Sequence, residues 1–147
     1  MEPPSAEEER EGERMIMEKG SQRSFTILVI DDDDRIRALL KEILVFGGHQ
    51  VIEASDGILG MKYLEEGKFD MVLTDLGMPV MNGWEVAKWV KRYTPQIPVG
   101  LITGWGIDLE EEKIKESGVD LIIGKPFQLS EILEAVNQCS NGASRKA

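Results

Sequence analysis

The 147-residue sequence is long enough for one domain with a single hydrophobic core. Its formal net charge of -10 argues against sequence-independent binding to nucleic acid, because such binding needs a basic face. The single cysteine, Cys139, excludes an internal disulfide, and no apolar stretch approaches the roughly 20 residues that a membrane span needs. We therefore expect a cytoplasmic protein with no nucleic-acid or membrane partner.

The two ends of the sequence differ from its centre. Residues 1–23 contain seven acidic and four basic residues with few large apolar ones, so we predict an acidic, disordered tail. Residues 24–140 are predicted to fold as one domain and residues 141–147 to form a flexible tail. Too few residues follow the last predicted helix for an output domain. We expect the chain to act alone by docking to a partner, or to be part of a larger hybrid kinase.

Strand and helix patterns alternate five times from Phe25 onward. The first strand, 25–30, precedes a helix whose apolar residues recur at helical spacing: Ile36, Leu39, Leu40, Ile43 and Leu44. The second strand, 51–54, precedes a helix that begins at Asp56-Gly57 and ends near Gly67. The third strand ends at Asp75, and the helix after Asn82-Gly83 ends at Thr94-Pro95.

The fourth strand, 99–103, leads to a helix for which we predict Asp108 as the N-cap, with Glu111 completing a capping box. The fifth strand, 121–124, precedes a last helix over 128–138, with Leu129, Ile132, Leu133 and Val136 facing inward. Repeated strand-helix units require a parallel sheet that helices cover on both faces. The sequence therefore predicts an α/β, flavodoxin-like (βα)5 three-layer sandwich with strand order 2-1-3-4-5.

Four of the predicted strands end in polar residues. These are Asp31 to Asp34 after the first strand, Asp75 on the third, Thr103 on the fourth and Lys125 after the fifth. Ligands bind at the carboxyl edge of such a sheet, where the strand order reverses between strands one and three. Carboxylates suit Mg2+, and a metal and an amine together offset the charge of a transferring phosphoryl group. The pattern predicts a magnesium and phosphoryl site.

Four motifs in this order resemble those of response-regulator receiver domains, the phosphoacceptor half of two-component signalling: Ile27 to Asp33, Asp75 to Gly83, Leu101 to Gly104, and Lys125 to Phe127. The resemblance covers residues 25–138, and the strand order is the one that this family shares. It implies that Asp75 accepts the phosphoryl group and that Thr103 and Lys125 contact that group. It also implies that Asp31, Asp32, Asp75 and the backbone carbonyl of Gly77 bind Mg2+.

The resemblance also implies partners. The phosphoryl donor would be a sensor histidine kinase or a phosphotransfer protein. A downstream protein would dock on the face formed by helix four, strand five and helix five. It further suggests a cis peptide at Lys125-Pro126. We expect a signalling module that undergoes slow autodephosphorylation, not an enzyme.

The sequence departs from the family pattern at the position of Ile122, where many receivers carry an aromatic residue that takes part in switching. Output through backbone and loop shifts, and a role as a phosphate sink or relay, therefore both stay open. Trp105 is predicted either to pack on the next helix or to lie over the site as a mobile lid. His49 is predicted to be structural, because it lies far along the chain from the acidic residues.

Two other functions compete with a signalling receiver. A magnesium-dependent phosphatase with an aspartyl nucleophile is the alternative, but such enzymes commonly carry a second acid two residues after the nucleophile. This chain has Gly77 there. A degenerate receiver that only binds partners is disfavoured, because all the acids and the lysine are present.

Overall fold

Five parallel strands form one sheet with the order β2-β1-β3-β4-β5 in a computed structural model of the chain. The structure describes residue 5 and residues 24–104 and 109–146, with side chains up to residue 139, so Trp105 and Asp108 lie outside the described residues. The elements are β1 (Thr26–Ile30), α1 (Asp34–Phe46), β2 (Gln50–Ala54), α2 (Gly57–Glu66), β3 (Met71–Asp75), α3 (Gly83–Tyr93), β4 (Val99–Thr103), α4 (Glu111–Ser117), β5 (Leu121–Gly124) and α5 (Leu129–Lys146). The predicted fold class and strand order are confirmed.

The sheet separates two apolar layers because side chains alternate between the faces of a strand. On β1, Ile27 and Val29 pack with α1 and α5, whereas Leu28 and Ile30 pack with α2 and α3. β3 and β4 are buried along their whole length, as expected for central strands covered on both faces. Burial on both sides holds the carboxyl ends of these strands in fixed positions, and those ends carry the polar residues singled out above.

Side-chain caps fix where three helices begin. Asp33 accepts hydrogen bonds from the first turn of α1, and Asp56 accepts one from Leu59 of α2. Asn82 and Glu85 form a capping box at the start of α3. These caps set the length of the loops at the carboxyl edge of the sheet. None of the described helices is long and apolar enough to cross a membrane.

Three local predictions are wrong. α4 begins at Glu111, and its N-cap is Glu110 without a side-chain hydrogen bond, so the helix starts too late for an Asp108 cap. Leu129 was predicted to face inward but is 45% exposed, because it begins α5. Leu39 shares the apolar spacing of α1 but is 43% exposed, because it flanks the apolar stripe of that helix. Finally, α5 continues to Lys146, past the predicted end at Gln138. No proline follows residue 138, and the last residues include good helix formers.

His49 has the structural role that we predicted. Its side chain is 7% exposed and stacks on Phe25, with ring centroids 5.5 Å apart. Its Nδ1 accepts a hydrogen bond from the backbone N–H of Phe25 at 3.2 Å. Burial lowers the pKa of His49 below its ordinary value, which favours the neutral ring that this hydrogen bond requires.

Candidate functional site

The ends of β1 and β3 place two buried carboxylates at the same edge of the sheet. Asp31 follows β1 and is fully buried, and Asp75 ends β3 with 7% exposure. Asp32, the next residue after Asp31, is exposed at the mouth of the pocket. One carboxylate oxygen from each of these three residues lies within 4.8 Å of the other two. β1 and β3 are neighbours in the sheet, so the crevice predicted from the strand order contains these acids.

Lys125 brings a positive charge into the same pocket from the end of β5. Its Nζ lies 3.0 Å from Oδ1 of Asp75 and 3.6 Å from Oδ2 of Asp31. Its backbone N–H donates to the carbonyl of Thr103 at 2.8 Å, which ties the β5–α5 loop to the end of β4. The Lys125-Pro126 peptide is cis, as the resemblance implied. One ammonium therefore faces two carboxylates.

The electrostatics of the pocket are those of a site short of positive charge. Burial raises the pKa of Asp31 to about 6; the nearby Asp75 charge adds to this, while a hydrogen bond from the backbone of Asp33 opposes it. Burial lowers the pKa of the Lys125 ammonium, but the hydrogen bond to Asp75 and the charge of Asp31 outweigh burial, so the pKa is raised. Lys125 stays charged, yet one cation does not balance three acids.

Asp31 also has an oxygen that a cation would satisfy. Its Oδ1 accepts a hydrogen bond from the backbone of Asp33 at 2.9 Å. Its Oδ2 is buried and has no hydrogen-bond partner among the described residues, with Lys125 at ion-pair distance only. A buried, unpartnered carboxylate oxygen is costly unless a ligand completes it. The donor set, three carboxylates around one point, is of the hard-oxygen kind that Mg2+ prefers. The residues present fit a magnesium ion.

Thr103 ends β4, and Gly77 follows β3 by two residues, so both lie at the same edge of the sheet as the acids. Strand register pairs Asp75 with Ile102, so Thr103 is one residue further along the same edge. Thr103 is 5% exposed, and its hydroxyl donates weakly to the carbonyl of Gly104 at 3.4 Å. Gly77 is exposed in the β3–α3 loop, and a Cβ added there would meet nothing within 4 Å. The Gly77 position is therefore open, whereas Thr103 is buried at the end of β4.

The structure adds two residues that sequence patterns did not identify. Arg37 of α1 donates from Nη1 to the backbone carbonyl of Asp31 at 2.7 Å and pairs with Asp34 at 2.6 Å. Thr74 is buried directly before Asp75 and donates its hydroxyl to the carbonyl of Asp75 at 3.0 Å. Each of these two side chains thus fixes the backbone carbonyl of an aspartate in the pocket. Only the spacing of Asp34 and Arg37 on α1 could have been noticed in the sequence.

Known proteins match the part of the chain that contains this pocket. Positions 27–137 match the family model of the response regulator receiver domain. This chain belongs to the response regulator receiver family. Receivers are phosphoacceptor signalling modules rather than classical enzymes, and they interact with histidine kinases or phosphotransferases. In this receiver the acidic cluster of Asp31, Asp32 and Asp75 is consistent with a metal site.

Individual relatives support the assignment of this receiver. Sporulation initiation phosphotransferase F of Bacillus subtilis is 34% identical over 113 residues, which cover 76% of this chain and 90% of that protein. Transcriptional regulatory protein AfsQ1 of Streptomyces coelicolor is 37% identical over 103 residues, covering 70% of this chain. The match spans only 45% of the length of AfsQ1. A crystal structure of a receiver domain protein from Clostridium thermocellum aligns with a TM-score of 0.77 at 30% identity, over 83% of this chain and 98% of that one.

Proposed function

We propose that this receiver accepts a phosphoryl group onto Asp75 from a phosphohistidine of a sensor histidine kinase or phosphotransfer protein, in the cytoplasm. The observation that carries the proposal is the ion pair between Lys125 and Asp75, with Asp31 beside it in one pocket. A nucleophilic carboxylate next to a fixed cation can take up a phosphoryl group without accumulating an unbalanced charge. Transfer to its own side chain makes the chain an acceptor and not a turnover enzyme.

The magnesium ligands in this proposal are the carboxylates of Asp31, Asp32 and Asp75 and the backbone carbonyl of Gly77. The unpartnered Oδ2 of Asp31 and the close approach of the three carboxylates support this set. When bound, Mg2+ offsets negative charge on the phosphoryl oxygens during transfer. Asp33 is left out of the set, because its side chain caps α1.

In the transfer, an oxygen of the Asp75 carboxylate attacks phosphorus. The P–N bond of the phosphohistidine breaks, its electron pair returns to the imidazole, and the imidazole takes up a proton. The product is an acyl phosphate on Asp75. Lys125, already 3.0 Å from Asp75, then pairs with a phosphoryl oxygen, and the Thr103 hydroxyl turns from the Gly104 carbonyl to donate to another. Attack by water later releases phosphate and resets the site.

A second candidate role is a phosphate relay or sink, which Ile122 favours. This residue lies in β5 with a partly exposed side chain and cannot swing a ring between two environments. A relative that is matched over 90% of its own length bears the name phosphotransferase, which supports a relay. In the leading proposal the signal instead passes by backbone and loop shifts to a downstream protein on the α4-β5-α5 face.

The proposal is tested by incubation with acetyl phosphate, with and without Mg2+, followed by measurement of intact mass. We expect the wild type to gain the mass of one phosphoryl group only with Mg2+, and the Asp75→Asn variant to gain none. Asp33→Asn is the matched control, because asparagine also caps helices and the Asp33 side chain caps α1 instead of joining the acidic cluster. A phosphatase would instead release phosphate continuously. Equal phosphorylation of wild type and Asp75→Asn would refute the assignment of the acceptor.

A further inference from the structure

A groove runs along the outer edge of the sheet, beside β5. It has a volume of about 230 Å³ and is lined by all four residues of β5 and by Glu131, Glu134, Ala135 and Gln138 of α5. Consecutive residues of a strand point to opposite faces, so a groove that touches all four follows the edge of the strand and not one face. The α5 residues lie at helical spacings of three and four and form one wall.

The backbone of β5 is open on this side. β5 is the last strand of the order and pairs only with β4 among the described strands. Half of the N–H and C=O groups of an edge strand therefore point away from the sheet, where they can pair with another extended chain. Leu121 and Ile122 are only partly buried, so apolar side chains accompany the free backbone groups.

The wall of this groove is acidic where it faces solvent. Glu131 and Glu134 are exposed on α5, and the amide of Gln138 continues the row. Among the residues whose side chains the structure describes, no lysine or arginine lines the groove. The charge next to the open strand is therefore negative, and a complementary partner is basic.

We propose that the β5 edge binds an extended, basic segment of a partner protein as a sixth strand of the sheet. Backbone hydrogen bonds to β5 supply affinity. Alternate apolar side chains of the bound strand contact Ile122 on the face away from α5, and lysine or arginine side chains on the face of Leu121 and α5 reach Glu131 and Glu134. This inference deepens the proposed function and rests on it for its biological role, since it specifies the chemistry of the downstream partner on the α4-β5-α5 face.

Charge repulsion disfavours a second copy of this chain as the partner at the β5 edge. Pairing of two β5 edges would bring the glutamates of both α5 helices together, between two proteins that each carry a net charge of -10. A basic segment removes this repulsion. The same glutamates thus protect the edge from self-association and select a cationic strand.

The probe is a blocked peptide of alternating lysine and valine, six residues long, added to 15N-labelled full-length protein. We expect amide shift changes in β5 and the adjoining wall of α5. At a peptide concentration of about ten times Kd, hydrogen exchange of the outward-facing β5 amides should slow about tenfold. A peptide with glutamate in place of lysine should not bind. A lysine-valine peptide with a central proline should bind weakly, because proline cannot donate to the strand.

Two variants with equal changes in net charge distinguish binding in the groove from general electrostatic attraction to an acidic protein. Glu134→Lys should weaken binding at least about fivefold, whereas Glu65→Lys on α2 should leave it nearly unchanged. Equal effects of both variants, equal binding of the proline peptide, or no binding at millimolar concentrations would overturn the proposal. Shift changes without protection of β5 amides would indicate a helical or side-chain contact and would also overturn it.

These measurements use unphosphorylated protein and are repeated with Asp75→Asn. Failure of Asp75 to accept a phosphoryl group would leave the peptide result standing, and failure of the peptide result would leave the phosphorylation test standing. The two proposals can therefore fail separately.

Discussion

Lys125 and Asp75 are 50 residues apart in the sequence, yet Nζ of the lysine donates to Oδ1 of the aspartate at 3.0 Å. The contact spans β4, because Lys125 follows β5 and Asp75 ends β3. The hydrogen bond from the Lys125 backbone to Thr103 holds the lysine over that intervening strand. The β5–α5 loop therefore links the acid to the backbone of Thr103, and we expect phosphorylation of Asp75 to disturb both contacts.

Removal of the Lys125 ammonium should affect stability and phosphorylation together. In Lys125→Met the buried carboxylates of Asp31 and Asp75 lose their cation, so we expect a loss of about 1–3 kcal/mol in unfolding free energy at pH 8 without Mg2+. Phosphorylation by acetyl phosphate should slow at least about tenfold. Urea denaturation and phosphorylation rates measure these effects. Lys113→Met, which removes an exposed lysine on α4, is the control and should change neither.

Asp31 should make the metal-free protein less stable as pH rises. Its pKa in the folded protein is about 6 against an ordinary 3.8, so the folded state holds the proton more tightly than the unfolded state does. The resulting stabilisation is complete below about pH 4 and is lost as pH rises through about 6, by up to about 3 kcal/mol. Asp31→Asn removes this titration, so the variant should exceed wild type in stability above pH 6 and lose its advantage towards pH 4.

The same pair of proteins tests the metal site. Addition of Mg2+ above pH 6 should stabilise the wild type and have much less effect on Asp31→Asn. Thermal or urea unfolding from pH 4 to 8, with and without Mg2+, measures both differences. His49 is present in both proteins, so its titration cancels. Parallel pH profiles for the two proteins would show that Asp31 does not have the raised pKa assigned to it.

Two glycines in the β3–α3 region should differ in their tolerance of alanine. A Cβ at Gly83 would lie 2.5 Å from the Asp75 carbonyl oxygen and 2.9 Å from Cα of Leu76, and backbone atoms cannot move aside easily. Gly83→Ala should therefore destabilise the protein by about 1–3 kcal/mol or more and slow phosphorylation. Gly77→Ala meets open space and should cost little. Urea unfolding of both variants decides the matter; equal destabilisation would show that the loop repacks.

The Thr103 hydroxyl should report phosphorylation without controlling its chemistry. Thr103→Val keeps the shape of the side chain but cannot donate to a phosphoryl oxygen. We expect it to be phosphorylated within about threefold of the wild-type rate, with the phosphorylation-dependent amide shifts around β4 and β5 largely lost. Thr103→Ser should retain those shifts. Unchanged shifts in the valine variant would remove Thr103 from the response.

The sequence was most informative about the sheet. Apolar runs that end in Asp31, Asp75, Thr103 and Lys125 define strands whose carboxyl ends must meet, so the acidic pocket and its lysine could be predicted before any coordinates. The resemblance to receivers then supplied roles for these residues and for Gly77, and all of these roles remain proposals. Burial on both faces leaves little freedom in such strands.

Helix ends and helix edges were harder to predict. Asp108 had the chemistry of an N-cap, yet α4 starts at Glu111, since capping preferences are weak beside tertiary packing. Leu39 matched the apolar spacing of α1 and is still 43% exposed, because the sheet covers only part of that face. The contact of Arg37 with the Asp31 carbonyl depends on side-chain geometry that spacing does not encode.

The most direct test of the central claim is to locate the phosphoryl group. After phosphorylation with acetyl phosphate and Mg2+, reduction with borohydride converts an acyl phosphate on aspartate to homoserine, which peptide mass spectrometry detects. We predict homoserine at position 75 and at no other aspartate, and none in a sample without phosphodonor. Modification at Asp31, Asp32 or Asp33, or no modification at position 75 in protein that has gained phosphoryl mass, would contradict the account.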